Sequence, residues 1–164
     1  MLVGRAFKFG DGISTDQIIP GRYAHLRGNL PELARHAMED ADPNFVHRVK
    51  TGDFIVAGTN FGLGSSREHA PLVIKMVGVK AILAKSVARI FFRNAINLGL
   101  PVLITDTDRI NDGDELVVDL KAGTIHDLTS DQELTFGKIP EVMLHILDEG
   151  GLLPYMQKHG DFVL

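Results

Sequence analysis

Cysteine and tryptophan are absent from all 164 positions. Without a thiol the chain can form no disulfide, offer no cysteine nucleophile and hold no cysteine-ligated zinc or iron–sulfur cluster of its own. Charge of one sign is also scarce. The 17 basic residues are outnumbered by 21 acidic ones, giving a net charge of −4, and no basic block occurs. That argues against nucleic-acid binding, which needs a concentrated Lys/Arg footprint. No apolar run approaches the about 20 residues of a membrane span, and the opening MLVGRAFKFGDG has no apolar stretch behind basic residues as a secretory leader would. The expectation is a soluble, cytoplasmic chain with neither nucleic-acid nor membrane partners. The seven histidines form no metal pattern: His36 and His47 are eleven apart, and His69, His126, His145 and His159 have no neighbour at ligand spacing, so no metal is assigned.

The 45% hydrophobic and 23% charged residues describe an ordinary globular protein. The length suits one domain over residues 1–164. Val3 to Phe9 reads as a strand stopped by Gly10-Asp11-Gly12. The stretch STDQIIPGRYAHLRGN from Ser14 to Asn29 is irregular and long enough to be a functional loop. A helix is expected from Pro31 to about Asp40. Phe54 to Ala57 and Val79 to Ala84 read as buried strands around a glycine-rich loop that enters a helix, a parallel pair with a crossover. Ser86 is a candidate N-cap for a helix closed by Gly99, followed by a strand from Pro101 to Ile104. ELVVDL, GTIHDL and QELTF then suggest short antiparallel strands, before a helix from about Pro140 to Glu149. The expected fold is α/β: a mixed sheet with flanking helices and a small antiparallel region in the last third.

The most distinctive segment is Gly62-Leu63-Gly64-Ser65-Ser66-Arg67-Glu68-His69. Glycines and serines at the mouth of a helix free several backbone N–H groups where the helix dipole favours an anion. It is not a dinucleotide fingerprint, because Arg67 stands where the third glycine would be, and it is not a Walker loop, because it has no Gly-Lys-Ser/Thr. A carboxylate or small phosphate clamped by Arg67 fits better. A purely structural reading stands beside it: Ser65-x-x-Glu68 is also a capping box. A second group, Ser14-Thr15-Asp16 with Arg22, Tyr23, His25 and Arg27, could be no more than Asx and Ser/Thr turns with solvated arginines. Together with Arg67, its arginines would suit a substrate carrying two or three carboxylates. Lys85 and Arg89 read as solvated or helix-terminal charges.

These segments, STDQIIPGRY, GLGSSREHA, AKSVARIFFRN with NLGLP behind it, and EGGLLPYMQKHG, together resemble the small subunit of the aconitase-type hydro-lyases, in the same order and over the whole chain. Members of that family include isopropylmalate dehydratase and homoaconitase. The resemblance implies a single swivelling-type α/β domain that is active only with a large subunit, in a heterodimer or heterotetramer. This chain would bind no cofactor, and the large subunit would carry a [4Fe–4S] cluster on three cysteines. A 2-hydroxy di- or tricarboxylic acid would be isomerised by dehydration and rehydration, water leaving under the pull of that cluster. The resemblance makes Ser65 the base, Ser66 and Arg67 substrate-binding residues, and Asp16 a supporting carboxylate. Arg27, in the setting Leu26-Arg27-Gly28, would bind a substrate carboxylate, with Arg22 as its alternative. The loop Tyr23-Ala24-His25-Leu26 would select the substrate's side group: Ala24 and Leu26 could receive an isopropyl group, His25 or Arg27 an extra carboxylate. Isopropylmalate, in leucine biosynthesis, is the first expectation. Homocitrate or homoaconitate in lysine biosynthesis is second, and a methylated malate or citramalate third. The rival of another class is a stand-alone carboxylate-binding or regulatory module.

Overall fold

Alternation along two central strands sets the architecture. In β2 (Phe54–Ala57), Phe54 and Val56 enter one apolar cluster while Ile55 and Ala57 enter another; in β3 (Ala81–Ala84), Ala81 with Leu83 and Ile82 with Ala84 divide the same way. Strands buried on both faces need cover on both. The computed structural model, which describes residues 1–65 and 67–160, provides different cover on each face.

One face is covered by helices. Ile18 of α1 (Thr15–Ile18), Leu33 of α2 (Leu30–Ala34), Phe45 of α3 (Phe45–Arg48), Val73 and Ile74 of α4 (His69–Met76) and Phe91 of α5 (Arg89–Asn97) all pack into the cluster of Ile55 and Ala57. Phe45 meets Phe7 and Phe9 edge-on, with ring centroids 5.2 and 5.7 Å apart. Such geometry is worth roughly 0.5–1.5 kcal/mol per pair beyond the burial itself.

The other face is covered by the sheet's own curl. Its seven strands lie in the order β4-β3-β2-β1-β5-β6-β7. β1 (Leu2–Lys8), β2, β3 and β4 (Val102–Ile104) are parallel, and β5 (Glu115–Asp119), β6 (Thr124–Asp127) and β7 (Gln132–Thr135) continue antiparallel from β1. Leu116, Val118, Ile125 and Leu134 from the antiparallel strands close over Phe54, Val56, Leu83 and Leu103. The two edge strands are drawn together: the Thr105 hydroxyl donates to the Thr135 carbonyl at 2.8 Å. The mixed α/β sheet and its antiparallel last third are as expected. Among the described residues no helix is long and apolar enough to cross a membrane.

Three local expectations change. The helix expected from Pro31 to Asp40 stops at Ala34, because the fully buried Met38 turns left-handed (φ 61°) and gives its amide to the Ile18 carbonyl at 2.9 Å. Ser86 caps no helix; α5 starts behind Ala88, while the Ser86 hydroxyl accepts from the Asn60 amide at 2.9 Å. The stretch from Ser14 to Asn29 is more ordered than its composition suggests. Ser14 and Gln17 form a capping box on α1, and Gly21–Leu26 is a 3-10 turn. At the other end, α6 (Glu141–Asp148) matches the closing helix, and a further helix α7 (Leu152–His159) follows it.

A buried acid pair sits beneath the antiparallel strands. Asp127 is 0% and Asp114 4% exposed. Asp127 Oδ1 accepts from the amides of Thr129 and Ser130, whereas its Oδ2 is buried with no N–H or O–H donor among the described residues. A proton on Asp114 satisfies it. The hydrogen bond to Asp127, and then burial, push the Asp114 carboxyl above its ordinary value. A carboxyl raised in the folded state contributes stability that is full below the ordinary carboxylate range and is lost as pH rises through the raised value. Asp114→Asn supplies a donor that does not titrate. It should raise Tm by about 2–4 °C at about pH 8, corresponding to about 1 kcal/mol, and the gain should vanish toward about pH 4, as read by calorimetry across pH.

Candidate functional site

The pairing of β1 with β2 continues past the ends of both strands. The Gly62 amide donates to the Ile13 carbonyl at 2.7 Å and the Thr15 amide to the Leu63 carbonyl at 2.8 Å, with Ser14 and Leu63 facing as a parallel bridge. Residues 13–16 and 61–65 are thereby held side by side off the carboxyl ends of two parallel strands, where α/β sheets place ligands. β1 is also the strand at which the sheet changes from parallel to antiparallel.

Two glycines shape this loop. Gly62 has φ 79°, and a Cβ there would lie 2.3 Å from the Phe91 ring. Gly64 has φ 113°, and its Cβ would come within 3.1 Å of the Thr15 hydroxyl. Only a residue without a side chain lets the chain turn over Phe91 and then approach Thr15. The result is a close contact between two loops: the Ser65 amide donates to Thr15 Oγ1 at 3.2 Å, and the two hydroxyl oxygens lie 3.3 Å apart. Thr15 is buried, 3% exposed, and Ser65 is exposed.

Arg67 is fixed from the same loop pair. Its Nη1 donates to the Ile19 carbonyl at 3.1 Å and stands 3.6 Å from Asp16 Oδ1, which in turn accepts from the Gly21 amide at 2.9 Å. Arg67 is 29% and Asp16 68% exposed, so the pair adds little stability; its effect is orientation. Among the described residues no other donor of the Arg67 fork is engaged.

Both readings of the glycine loop are revised by this geometry. The capping box Ser65-x-x-Glu68 does not form: α4 begins at His69, Glu68 is its N-cap, and no side chain caps it. Nor do the Gly62 and Ser65 amides converge on an anion, since Ile13 and Thr15 take them. The positive group at this place is Arg67. Ser66 lies outside the described residues.

The loop over residues 21–27 separates its two arginines. Arg22 is committed within the chain: it grips Asp40 with both arms at 3.1 and 2.7 Å, reaches Glu39 at 2.9 Å, and lies over the Tyr23 ring, which stacks on His36 with centroids 3.8 Å apart. Hydrogen bonds from Tyr23 first, then His36 and Arg22, hold the Glu39 carboxyl below its ordinary range, while Arg22 does the same for Asp40. Arg27 is exposed and has no ionic partner among the described residues. Ala24 and His25 are exposed as well, whereas Tyr23 and Leu26 are half-buried against the helical core. Lys85 is paired with Asp108. Among the described residues no three of His, Cys, Asp and Glu gather as metal ligands.

Thr15, named in the sequence only as part of the Ser14-Thr15-Asp16 group and given no role of its own, is the member of that group that meets Ser65. A signal for it exists: once Ser14-x-x-Gln17 is read as a capping box, Ser14 is occupied and Thr15 is the hydroxyl left over.

Comparison with known proteins gives concordant results. Residues 8–107 match the family described as the aconitase C-terminal domain. The 3-isopropylmalate dehydratase small subunit 2 of Archaeoglobus fulgidus is 66% identical, over 98% of this chain and 97% of that protein. The 3-isopropylmalate dehydratase small subunit 1 of Thermotoga maritima is 58% identical, over 99% and 98%. A crystal structure of 3-isopropylmalate dehydratase (leuD) from Methanocaldococcus jannaschii superposes with a TM-score of 0.92 at 47% identity, covering 97% of this chain and 95% of that one.

The loop geometry can be tested by its glycines. Gly62→Ala combines a left-handed backbone with a clash against Phe91 and should cost about 2–4 kcal/mol in urea unfolding. Gly10→Ala, with nothing within 4 Å of the added Cβ, should change stability by no more than about 0.5 kcal/mol.

Proposed function

The chain belongs to the aconitase C-terminal domain family, and from that premise we propose that it is the small subunit of a 3-isopropylmalate dehydratase. The observation that carries the reading is an exposed serine hydroxyl, Ser65, two positions before a guanidinium, Arg67, that among the described residues is anchored by one arm and otherwise available. The high identity to proteins named as small subunits of that enzyme supports it.

In this reading the Ser65 alkoxide takes the proton from the carbon next to the one bearing the hydroxyl, the freed electron pair forms the double bond, and the hydroxyl leaves as water with a proton given by an acid on the large subunit's side of the pocket. Addition of water across the same double bond in the opposite sense gives the isomer. A serine is a weak base unless its alkoxide is stabilised. Arg67 supplies fixed positive charge close by and presents a planar fork to a substrate carboxylate, with Ser66 as a second contact. Asp16 and the Ile19 carbonyl keep that fork in place. Arg27, whose charge has no partner among the described residues, takes a second carboxylate, while Arg22 serves the loop's own structure. Ala24 and His25 are the exposed side chains of the loop and contact the substrate's side group; Tyr23 and Leu26 support them from the core side.

The family's iron–sulfur cluster does not fit this chain, which has no cysteine to ligate it. Every cysteine ligand must come from the large subunit, and no step above runs through the cluster. The half-site is open, with Ser65 on the surface, so a large subunit closing over it completes the pocket and excludes water.

Co-expression with the cluster-bearing large subunit, anaerobic reconstitution and parallel assay on isopropylmalate, homocitrate and citramalate test the proposal. Isopropylmalate should give the highest kcat/KM, and the isolated chain should be inactive. Ser65→Ala should lower kcat about 10²–10⁴-fold with complex assembly intact. Arg67→Lys should lower kcat/KM about 10–100-fold through loss of the two-pronged contact. An intact complex with no activity on any of these acids would sink the assignment, as would an isolated monomer that binds the acids fully on its own.

A further inference from the structure

We propose that Thr15 is a positioning residue that sets the Ser65 hydroxyl in place and stabilises its deprotonated form by donating a hydrogen bond to it. The inference rests on the reading of Ser65 as the base.

The Thr15 backbone is fixed at both ends. Its amide donates to the Leu63 carbonyl at 2.8 Å, and its carbonyl accepts from the Ile19 amide at 2.8 Å. The buried side chain then directs all of its polar capacity at one residue. Its Oγ1 accepts from the Ser65 amide at 3.2 Å, and Ser65 Oγ lies 3.3 Å away; among the described residues it has no other hydrogen-bond partner. A threonine at the start of a helix ordinarily bonds to backbone of its own element, and this one does not.

The direction of the hydroxyl–hydroxyl bond follows from counting. A hydroxyl has one proton and two lone pairs. The Ser65 amide occupies a lone pair of Thr15 Oγ1, which leaves the Thr15 proton to find an acceptor, and Ser65 Oγ is within reach. While Ser65 keeps its proton, either hydroxyl can donate. Once Ser65 has lost it, Ser65 Oγ can only accept, so Thr15 must be the donor, and the bond becomes charge-assisted and shorter. The amide that donates into Thr15 polarises its O–H and strengthens that donation. The residue therefore binds the reactive form of Ser65 more tightly than the resting form, which is the condition for an effect on rate. Gly64 makes the approach possible, since any side chain there would crowd the Thr15 hydroxyl.

The test uses the assembled enzyme with its large subunit. Thr15→Val keeps the shape and removes the hydroxyl; Thr15→Ser keeps the hydroxyl and removes the methyl. Thr15→Val should lower kcat about 10–100-fold with KM within about twofold, and move the pH limb for deprotonation of the base upward by about one unit. Thr15→Ser should return kcat to within about threefold of wild type. If Val disturbs packing, as a lowered Tm or poor assembly would show, Thr15→Ala replaces it, with rescue by Ser still the criterion. A Thr15→Val enzyme with wild-type kcat and pH profile overturns the inference, whatever its Tm. A double-mutant comparison separates it from the parent reading: in a Ser65→Ala background Thr15→Val should have no further effect. If Ser65→Ala is fully active, the base assignment fails and takes this inference with it. If Ser65→Ala is crippled but Thr15→Val lowers its residual turnover by the full factor again, only the role of Thr15 fails.

Discussion

Two backbone hydrogen bonds, from the Gly62 amide to the Ile13 carbonyl and from the Thr15 amide to the Leu63 carbonyl, carry strand pairing beyond the point where β1 and β2 end. Most of the site depends on them. They bring residues distant in sequence into one small region and fix the height of Thr15 against Ser65. Their geometry demands glycine at positions 62 and 64, because the bonded segments must cross Phe91 on one side and meet a threonine on the other. A loop anchored this way is an extension of the sheet rather than a tether, and the rigidity of four parallel strands reaches Thr15 and Ser65 directly.

The charged residues around this extension divide by what they touch. Arg22 is spent on Asp40 and Glu39 and stacks with Tyr23, and Tyr23 in turn lies on His36; this cluster pins the 3-10 turn to the run of turns that follows α2. Arg67 is held at one nitrogen and keeps the rest of its fork. Arg27 projects from the turn with no partner among the described residues. Three arginines that look alike in the sequence therefore differ in what they touch: Arg22 is a brace, Arg67 is anchored at one nitrogen, and Arg27 has no ionic partner among the described residues. A guanidinium satisfied by two carboxylates, as that of Arg22 is, has little left for a ligand.

The fold was largely legible in the sequence because its decisive strands are short apolar runs bounded by turn residues, as in Phe54–Ala57 and in the three strands after Glu115. Where the reading went astray, long-range contacts overrode local preference. Met38 leaves the helical conformation because its amide and side chain are claimed by the core, and Ser86 is drawn from a capping role by an amide twenty-six positions earlier in the chain. The site was legible as a set of motifs and not as a geometry. GSSR and STD announce chemistry, but only the structure shows that the apparent capping box is not formed, that the loop amides of Gly62 and Ser65 are already taken, and that Thr15 lies beneath Ser65.

The bond between Thr105 and Thr135 has a consequence for assembly. A sheet with free margins offers unpaired backbone groups to any passing strand. Here β4 and β7 are only three and four residues long, and the curl brings their ends together. Little exposed edge remains for another chain to extend. Contact with another chain then falls to exposed side chains rather than to an added strand, which is recognition by surface shape and charge. An association of that kind can open and close without unzipping a sheet.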